Sequence, residues 1–188
     1  MRFQPRRLVP SCSLLLIASV VLGCARAPGS VAPDVRTPQV VVVEMLRLAQ
    51  VTPSDVVYDL GSSDGRIVIT AAQEFGARGV GLEIEPDLVA QAERNARRAK
   101  VSDRVRFVQQ DIFEADLSEA TVVTIYLSAE ANARLRPKLL AQLKPGSRIV
   151  SHSFAMRGAR PKKVIEVQTD DEEEHPVYLW VVPWEKEE

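Results

Sequence analysis

The segment VVYDLGSSDGRIVI (56–69) carries the densest chemistry in the chain. An apolar run ends at Asp59, Gly61 and Gly65 bracket a short polar loop, and an apolar-periodic stretch follows. A glycine-containing loop between a parallel strand and a helix N-terminus is where α/β folds bind nucleotide-like ligands, because glycine lets the backbone approach and the helix amides face the ligand. The spacing is not G-x-G-x-x-G, since Ser63 and Arg66 stand where the second and third glycines are wanted, and no Lys-Ser/Thr pair follows as in a P-loop. Dinucleotide and nucleoside-triphosphate readings fall back accordingly. The loop is acidic instead. Asp59 and Asp64 suit an ammonium group, whereas two carboxylates facing a pyrophosphate would repel it. Glu83, at the end of the next predicted strand, is placed to accept both hydroxyls of a ribose. Asp111, ending the third, is placed to accept from an adenine amine while Ile112 packs the ring. One carboxylate at a strand end says little; an ordered set on successive strands says much more.

For these side chains to meet, strands and helices must alternate, which is the pattern of a parallel sheet covered by helices on both faces. A first helix is expected from Pro38, with Val42, Met45, Leu46, Leu48 and Ala49 near helical spacing, Thr37 as its cap and Pro38 at the first helical position. Four consecutive valines keep a strand as the rival. Strands are expected over 55–60, 79–84, 104–111, 120–127 and 147–154. Helices are expected from Gly65, over 86–99 with Leu88, Val89, Ala92 and Ala96 on one face, and over 129–143, stopped by Pro145 and Gly146. Two more strands, KVIEVQ and VYLWVVPW, flank the acidic run from Asp170 to Glu174, which reads as a solvated hairpin tip more simply than as a metal or basic-partner site.

The 188 residues suit one domain with a full core. With 24 basic and 25 acidic side chains there is no chain-wide field to draw nucleic acid, and nucleic acid is not the expected partner. Residues 1–23 differ from the rest: Arg2, Arg6 and Arg7 precede the apolar run LLLIASVVLG, a signal-peptide pattern too short to span a bilayer comfortably. VLGC resembles the bacterial lipobox, which makes Cys24 the expected lipidated N-terminus, despite the bulk of Leu22; a plain secretory signal or an over-long gene start is the alternative. Residues 24–36, rich in Ala, Pro, Gly and Ser, read as a tether, and 37–188 as the folded domain. Cys12 lies in the signal, so the mature chain keeps one cysteine, which excludes an intrachain disulfide or a cysteine-based metal site.

The segments DLGSSDGRIVITAA, GARGVGLEIEP, ATVVTIYL, LRPKLLAQLKPGSRIVSHSF and YLWVVPW together resemble the class I S-adenosylmethionine-dependent methyltransferases. More closely, they resemble bacterial relatives of the protein-lysine methyltransferases that modify the ATP synthase c subunit. The resemblance implies a Rossmann-like, doubly wound seven-stranded sheet with the last strand antiparallel, and S-adenosyl-L-methionine as cofactor. It also implies that Asp59, Gly61, Ser63, Asp64 and Gly65 line the methionine and ribose end, that Thr37 belongs to the cofactor-binding set, that Glu83 holds the ribose, and that Asp111 and Ile112 meet the adenine. The chain departs from the family at Ser63, where glycine is usual and a serine fits if its φ is negative; at DVRTP, where the family has an aromatic-Val-Pro-Thr-Pro segment; and at FAMRGARP, which lacks the usual tryptophan.

In such an enzyme the sulfonium supplies the reactivity, and the protein must hold an unprotonated nucleophile in line with the methyl group. A lysine of a protein is the acceptor that the resemblance suggests. Tyr126 and Ser128 are the candidates for lining its channel, with a core role as the alternative for Tyr126. His152 suits a hydrogen-bonded structural histidine better than a base, and His175, in the acidic connection, carries no signal. An export signal places the domain in the cell envelope, anchored to the membrane through its lipid, whereas S-adenosylmethionine is kept in the cytoplasm. Three readings resolve this: a cytoplasmic enzyme with a misassigned start, an exported non-catalytic binding module on a degenerate methyltransferase fold, or methylation of an envelope component. A nicotinamide oxidoreductase is a distant further alternative.

Overall fold

The computed structural model describes residues 36–170 and 173–187. The signal, the tether and Cys24 lie outside them, as do Asp171 and Glu172 of the acidic run. In chain order the elements are α1 (Gln39–Leu48), β1 (Val56–Leu60), α2 (Arg66–Phe75), β2 (Arg78–Glu83), α3 (Pro86–Arg98), β3 (Val105–Gln109), β4 (Val122–Ile125), α4 (Ala129–Gln142), β5 (Arg148–His152), β6 (Lys163–Gln168) and β7 (Glu174–Val181). The strands form one sheet of order β3-β2-β1-β4-β5-β7-β6, in which β7 alone runs against its neighbours. This is the expected doubly wound architecture.

The two faces follow from the alternation of side chains along each strand. Val57, Val122 and Val150 point to the layer of Val42, Met45, Leu46, Val68 and Ala96. Tyr58, Val123 and Ile149 point the other way, onto Leu135, Leu139 and Trp180. Helices α1, α2 and α3 thus cover one face and α4 the other. Trp180 is fully buried and donates its indole N–H to the Ala159 carbonyl at 2.9 Å. That satisfies the one polar group of the largest core side chain.

The rivalry between helix and strand at the four valines is decided for the helix. Val41, Val42, Met45 and Leu46 are all completely buried, spaced so that one helical face meets the sheet and α2. Two details of that helix differ from expectation. Pro38 is the N-cap rather than the first helical residue, and no side chain caps the helix. The Thr37 hydroxyl reaches His152 instead. In α3 only Ala92 and Ala96 are buried; Leu88 and Val89 are half-exposed, because the small alanines let the helix lie close to the sheet. β3 stops at Gln109, so Asp111 lies past the strand. β7 begins at Glu174, which brings His175 into the sheet and out of the acidic connection.

At the amino ends of the strands, Asp55 is 5% exposed and ties three segments together. It accepts from the Thr52 amide at 2.8 Å and the Thr121 hydroxyl at 2.7 Å, and pairs with Arg148. Burial would raise its carboxyl, but the hydrogen bonds from Thr121, Thr52 and Arg148 outweigh burial and hold it below the ordinary range. The opposite, carboxyl ends are left for the ligand. Strand order reverses between β1 and β4, and the crevice at such a switch point is where α/β sheets bind ligands.

Candidate active site

Asp59 is the fourth residue of β1, in register with Gly81 of β2 and Thr124 of β4. It is 3% exposed. Among the described residues its carboxylate has one hydrogen-bond donor, the Thr124 hydroxyl at 2.7 Å. Burial pushes the carboxyl up to about 7; the Thr124 bond works against the rise and the nearby Glu83 and Asp64 charges add to it. A buried carboxylate with acceptor capacity to spare and two acidic neighbours is a site that gains from an incoming cation. This is the fit expected of the cofactor's ammonium group.

The loop after β1 spends its amides on the protein. Gly61 and Ser62 both donate to the Leu82 carbonyl at 2.9 Å, Ser63 donates to Glu83 Oε2 at 2.8 Å, and Gly65 to the Ser62 carbonyl at 2.8 Å. These N–H groups do not form a phosphate cradle, in keeping with a phosphate-free ligand. Gly61 and Gly65 have φ of 84° and 81°, which only glycine adopts freely. At Gly65 a Cβ would meet Phe107 Cζ at 2.5 Å, so this glycine makes room for a core aromatic rather than for a ligand. Ser63 has φ of 47°. The condition for an easy fit, a negative φ, is not met: the position keeps the left-handed backbone that suits the family's usual glycine, and serine occupies it under strain.

Glu83 ends β2 and is 8% exposed. Its Oε1 accepts from the amides of Ile84 at 2.8 Å and Glu85 at 3.1 Å, and its Oε2 from Ser63 at 2.8 Å. Of roughly four lone-pair sites, three are used, and the remainder lies on Oε2. The backbone thus clamps the side chain that is expected to hold the ribose. Asp64, by contrast, is not left open to an ammonium. Arg66 chelates it through Nε at 3.0 Å and Nη2 at 2.8 Å, and Arg36 lies 3.4 Å away. Burial would raise its carboxyl, but Arg66 and then Arg36 hold it down. Asp111 is exposed and turns back to accept from the Phe113 amide at 2.9 Å, while Ile112 is buried in the core layer below β1 and β4.

At the acceptor end, Tyr126 follows β4 directly. Its ring lies 3.9 Å from that of His152 and 6.3 Å from that of Phe154. Burial raises the Tyr126 hydroxyl pKa, a hydrogen bond from Ser153 opposes the rise, and Glu173 adds to it. Ser128, the other channel candidate, is the N-cap of α4: its Oγ accepts from the Ala131 amide at 3.1 Å. His152, the last residue of β5, is completely buried with both ring nitrogens engaged, by Thr37 at 3.1 Å and by His175 at 2.9 Å. Burial lowers its pKa to about 4, with His175 contributing, so the ring is neutral at physiological pH. That is the hydrogen-bonded structural histidine the sequence favours.

Several members were not singled out beforehand. Thr124 announced itself only as the lone polar residue in VVTI; Arg66 had a signal in following Gly65; His175 had none. Among the described residues no group of three acidic, histidine or cysteine side chains is arranged to hold a metal. A shallow surface cleft of about 320 Å³, lined by Gln39, Asp64, Arg66, Ile69, Thr70, Gln73 and Asn95, touches the carboxylate cluster only at Asp64.

Comparisons with known proteins identify the family. The model of the ANTKMT methyltransferase domain matches residues 59–163, which begin at the buried Asp59. The chain is 48% identical over 151 residues to a protein-lysine N-methyltransferase of Saccharolobus islandicus, covering 80% of this chain and 93% of that one. It is 36% identical over 130 residues to the adenine nucleotide translocase lysine N-methyltransferase of Mus musculus, covering 69% of this chain and 56% of that protein. Among solved structures, an RNA methyltransferase from Salinibacter ruber in complex with S-adenosyl-L-homocysteine matches with a TM-score of 0.75 at 53% identity, over 79% of this chain and 94% of that one. The acidic crevice and these likenesses agree: the chain belongs to the ANTKMT methyltransferase domain family and is an S-adenosylmethionine-dependent methyltransferase.

Proposed function

We propose that the methyl acceptor is the ε-amine of a lysine in a protein. The observation that carries this reading is the aromatic end of the crevice, where the Tyr126 ring lies against that of His152 and near that of Phe154 and His152 stays neutral. Aromatic faces attract an arriving ammonium, and a poorly solvated surrounding then favours its neutral, nucleophilic form. The names of the Saccharolobus and mouse relatives support the same acceptor.

When bound, S-adenosylmethionine supplies an electrophilic methyl group on its sulfonium. Asp59 is suited to hold the ammonium of its methionine part, Glu83 the ribose, and Asp111 with Ile112 the adenine. The protein contributes orientation and exclusion of water, and no dedicated base is required if the amine loses its proton on entry.

The test is incubation with methyl-labelled S-adenosylmethionine and, separately, poly-L-lysine or an unmodified RNA transcript, followed by hydrolysis and mass spectrometry. The expected product is Nε-methyllysine. Label in the RNA and none in poly-L-lysine would refute the reading and favour the acceptor named for the Salinibacter structure. Attachment of the domain to the cell envelope through Cys24 is part of the same proposal; no helix of the described residues is long and apolar enough to cross a membrane.

A further inference from the structure

A file of hydrogen bonds links the crevice to the β6–β7 hairpin. The Thr37 hydroxyl lies 3.1 Å from His152 Nδ1, His152 Nε2 lies 2.9 Å from His175 Nδ1, His175 Nε2 lies 3.3 Å from Thr169 Oγ1, and Thr169 Oγ1 lies 3.3 Å from the Glu173 carbonyl. The last group settles the direction of all the others. A carbonyl only accepts, so the Thr169 hydroxyl donates to it and its oxygen accepts from His175 Nε2–H. When each ring carries a single proton, His175 Nδ1 then accepts from His152 Nε2–H, and His152 Nδ1 accepts from Thr37. Each donor points outward, from an interior where Thr37 is 4% exposed and His152 fully buried to a hairpin that is open to solvent.

The inner end lies at the carboxyl ends of the strands, beside the last residue of β5. Thr37 joins the two walls of the crevice: its carbonyl accepts from Arg66, which chelates Asp64 in the loop after β1, and its hydroxyl meets the last residue of β5. Because that hydroxyl donates to His152, its lone pairs face the other way, ready to accept.

We propose that Thr37, His152, His175 and Thr169 form a proton path that carries the ammonium proton of the methyl acceptor from the crevice to the hairpin. The proposal rests on the amine reading above. One N–H bond of the ammonium breaks and leaves its electron pair on nitrogen; Thr37 Oγ1 takes that proton and passes its own to His152 Nδ1. The Nε2 proton of His152 moves to His175 Nδ1, that of His175 to Thr169 Oγ1, and the Thr169 proton leaves to water. The sum is an ammonium and a water converted to an amine and a hydronium. The rings end as the opposite tautomers; once the product has left, a proton from water at the hairpin returns along the same file to water in the open crevice, which restores them before the next turnover. The groups that face the buried ring from the packed elements are Tyr126 after β4, His175 on β7, Thr37 before α1 and Ser153 after β5, with Glu173 acting on Tyr126. The low pKa of His152 suits a ring that passes a proton without keeping it.

The experiment compares the full chain with its His175→Gln and His175→Phe variants, reading kcat and KM for poly-L-lysine from pH 6.5 to 10.5. Glutamine keeps an acceptor and a donor at the position but does not relay a proton as imidazole does. The expected result is a loss in kcat of about 100-fold near pH 7 in both variants, the scale of acid–base assistance. The loss should fade toward pH 10.5, where the amine arrives neutral, with cofactor affinity and melting temperature of the glutamine variant unchanged. A deficit of equal size at every pH, rescue by glutamine, or no deficit would overturn the path while leaving the amine reading intact. No transfer to poly-L-lysine by the unsubstituted chain at any pH would overturn both.

Discussion

Replacing Asp59 with asparagine should make the ligand-free protein more stable at neutral pH and a worse binder of S-adenosylmethionine. Burial holds the Asp59 carboxyl at about 7 in the folded chain, against 3.8 for a free side chain. A carboxyl raised in this way lends its full stability below the unfolded value and loses it as pH rises through the folded one, because the unfolded chain ionises more readily. The window runs from about pH 4 to pH 7. At about 1.4 kcal/mol per pH unit, the folded state forfeits about 4 kcal/mol by pH 8, an upper figure for a group this buried. Asparagine keeps the bond from Thr124 and carries no charge to bury, so Asp59→Asn should match the parent near pH 4 and exceed it by a few kcal/mol at pH 8. Urea denaturation of the ligand-free proteins at the two pH values reads this directly. Calorimetry should show the opposite sign for binding. Loss of a charge-assisted hydrogen bond, worth about 1.5–3 kcal/mol, weakens S-adenosylmethionine about 10- to 100-fold, and the parent alone should release close to one proton per ligand bound at pH 6. A variant less stable than the parent at pH 8, or one that binds as tightly, would refute the reasoning.

Three further outcomes are expected. Ser63→Gly removes a left-handed backbone from a residue with a Cβ and should raise stability by about 1 kcal/mol in denaturant titration, with cofactor affinity retained or improved. His152 has its pKa lowered to about 4, so the unfolded chain takes up a proton that the folded one refuses; stability should fall by about 2–3 kcal/mol as pH drops from 6.5 toward 4. His152→Gln should lack that slope in an acid titration followed by circular dichroism. Cys24→Ser should abolish incorporation of labelled palmitate when the chain is expressed in a bacterial host; label retained in the variant would rule out Cys24 as the anchor.

The alternation of apolar strands with amphipathic helices was legible from residue 38 onward because each element's burial pattern is local: Val57 and Tyr58 declare opposite faces by adjacency alone. Strand order and the reversed last strand were not local facts. The reversed last strand came from the family resemblance and the order from the structure alone, because nothing in KVIEVQ or VYLWVVPW states which neighbour each will pair with. The carboxylates could be listed in advance for the same reason that the strands could. Asp59 and Glu83 each end an apolar run, and a charge at such a place needs a purpose.

What each carboxylate does was decided in three dimensions. Asp59 and Asp64 look alike in the sequence, yet one lies beneath the loop with a single hydroxyl for company while the other is chelated by Arg66. Their pKa values move in opposite directions because protonation depends on burial and neighbours, not on residue type. Ser128 and Thr37 show the same limit, since a hydroxyl caps a helix or joins a ring according to what the fold brings within 3 Å. The sequence alone determined the class of fold, the acidic character of the crevice and the order of its side chains along the chain. Only the tertiary structure decided that Thr37 would meet His152 across 115 residues and that His175 would continue the file, because a contact between distant segments exists only once the sheet has set their register.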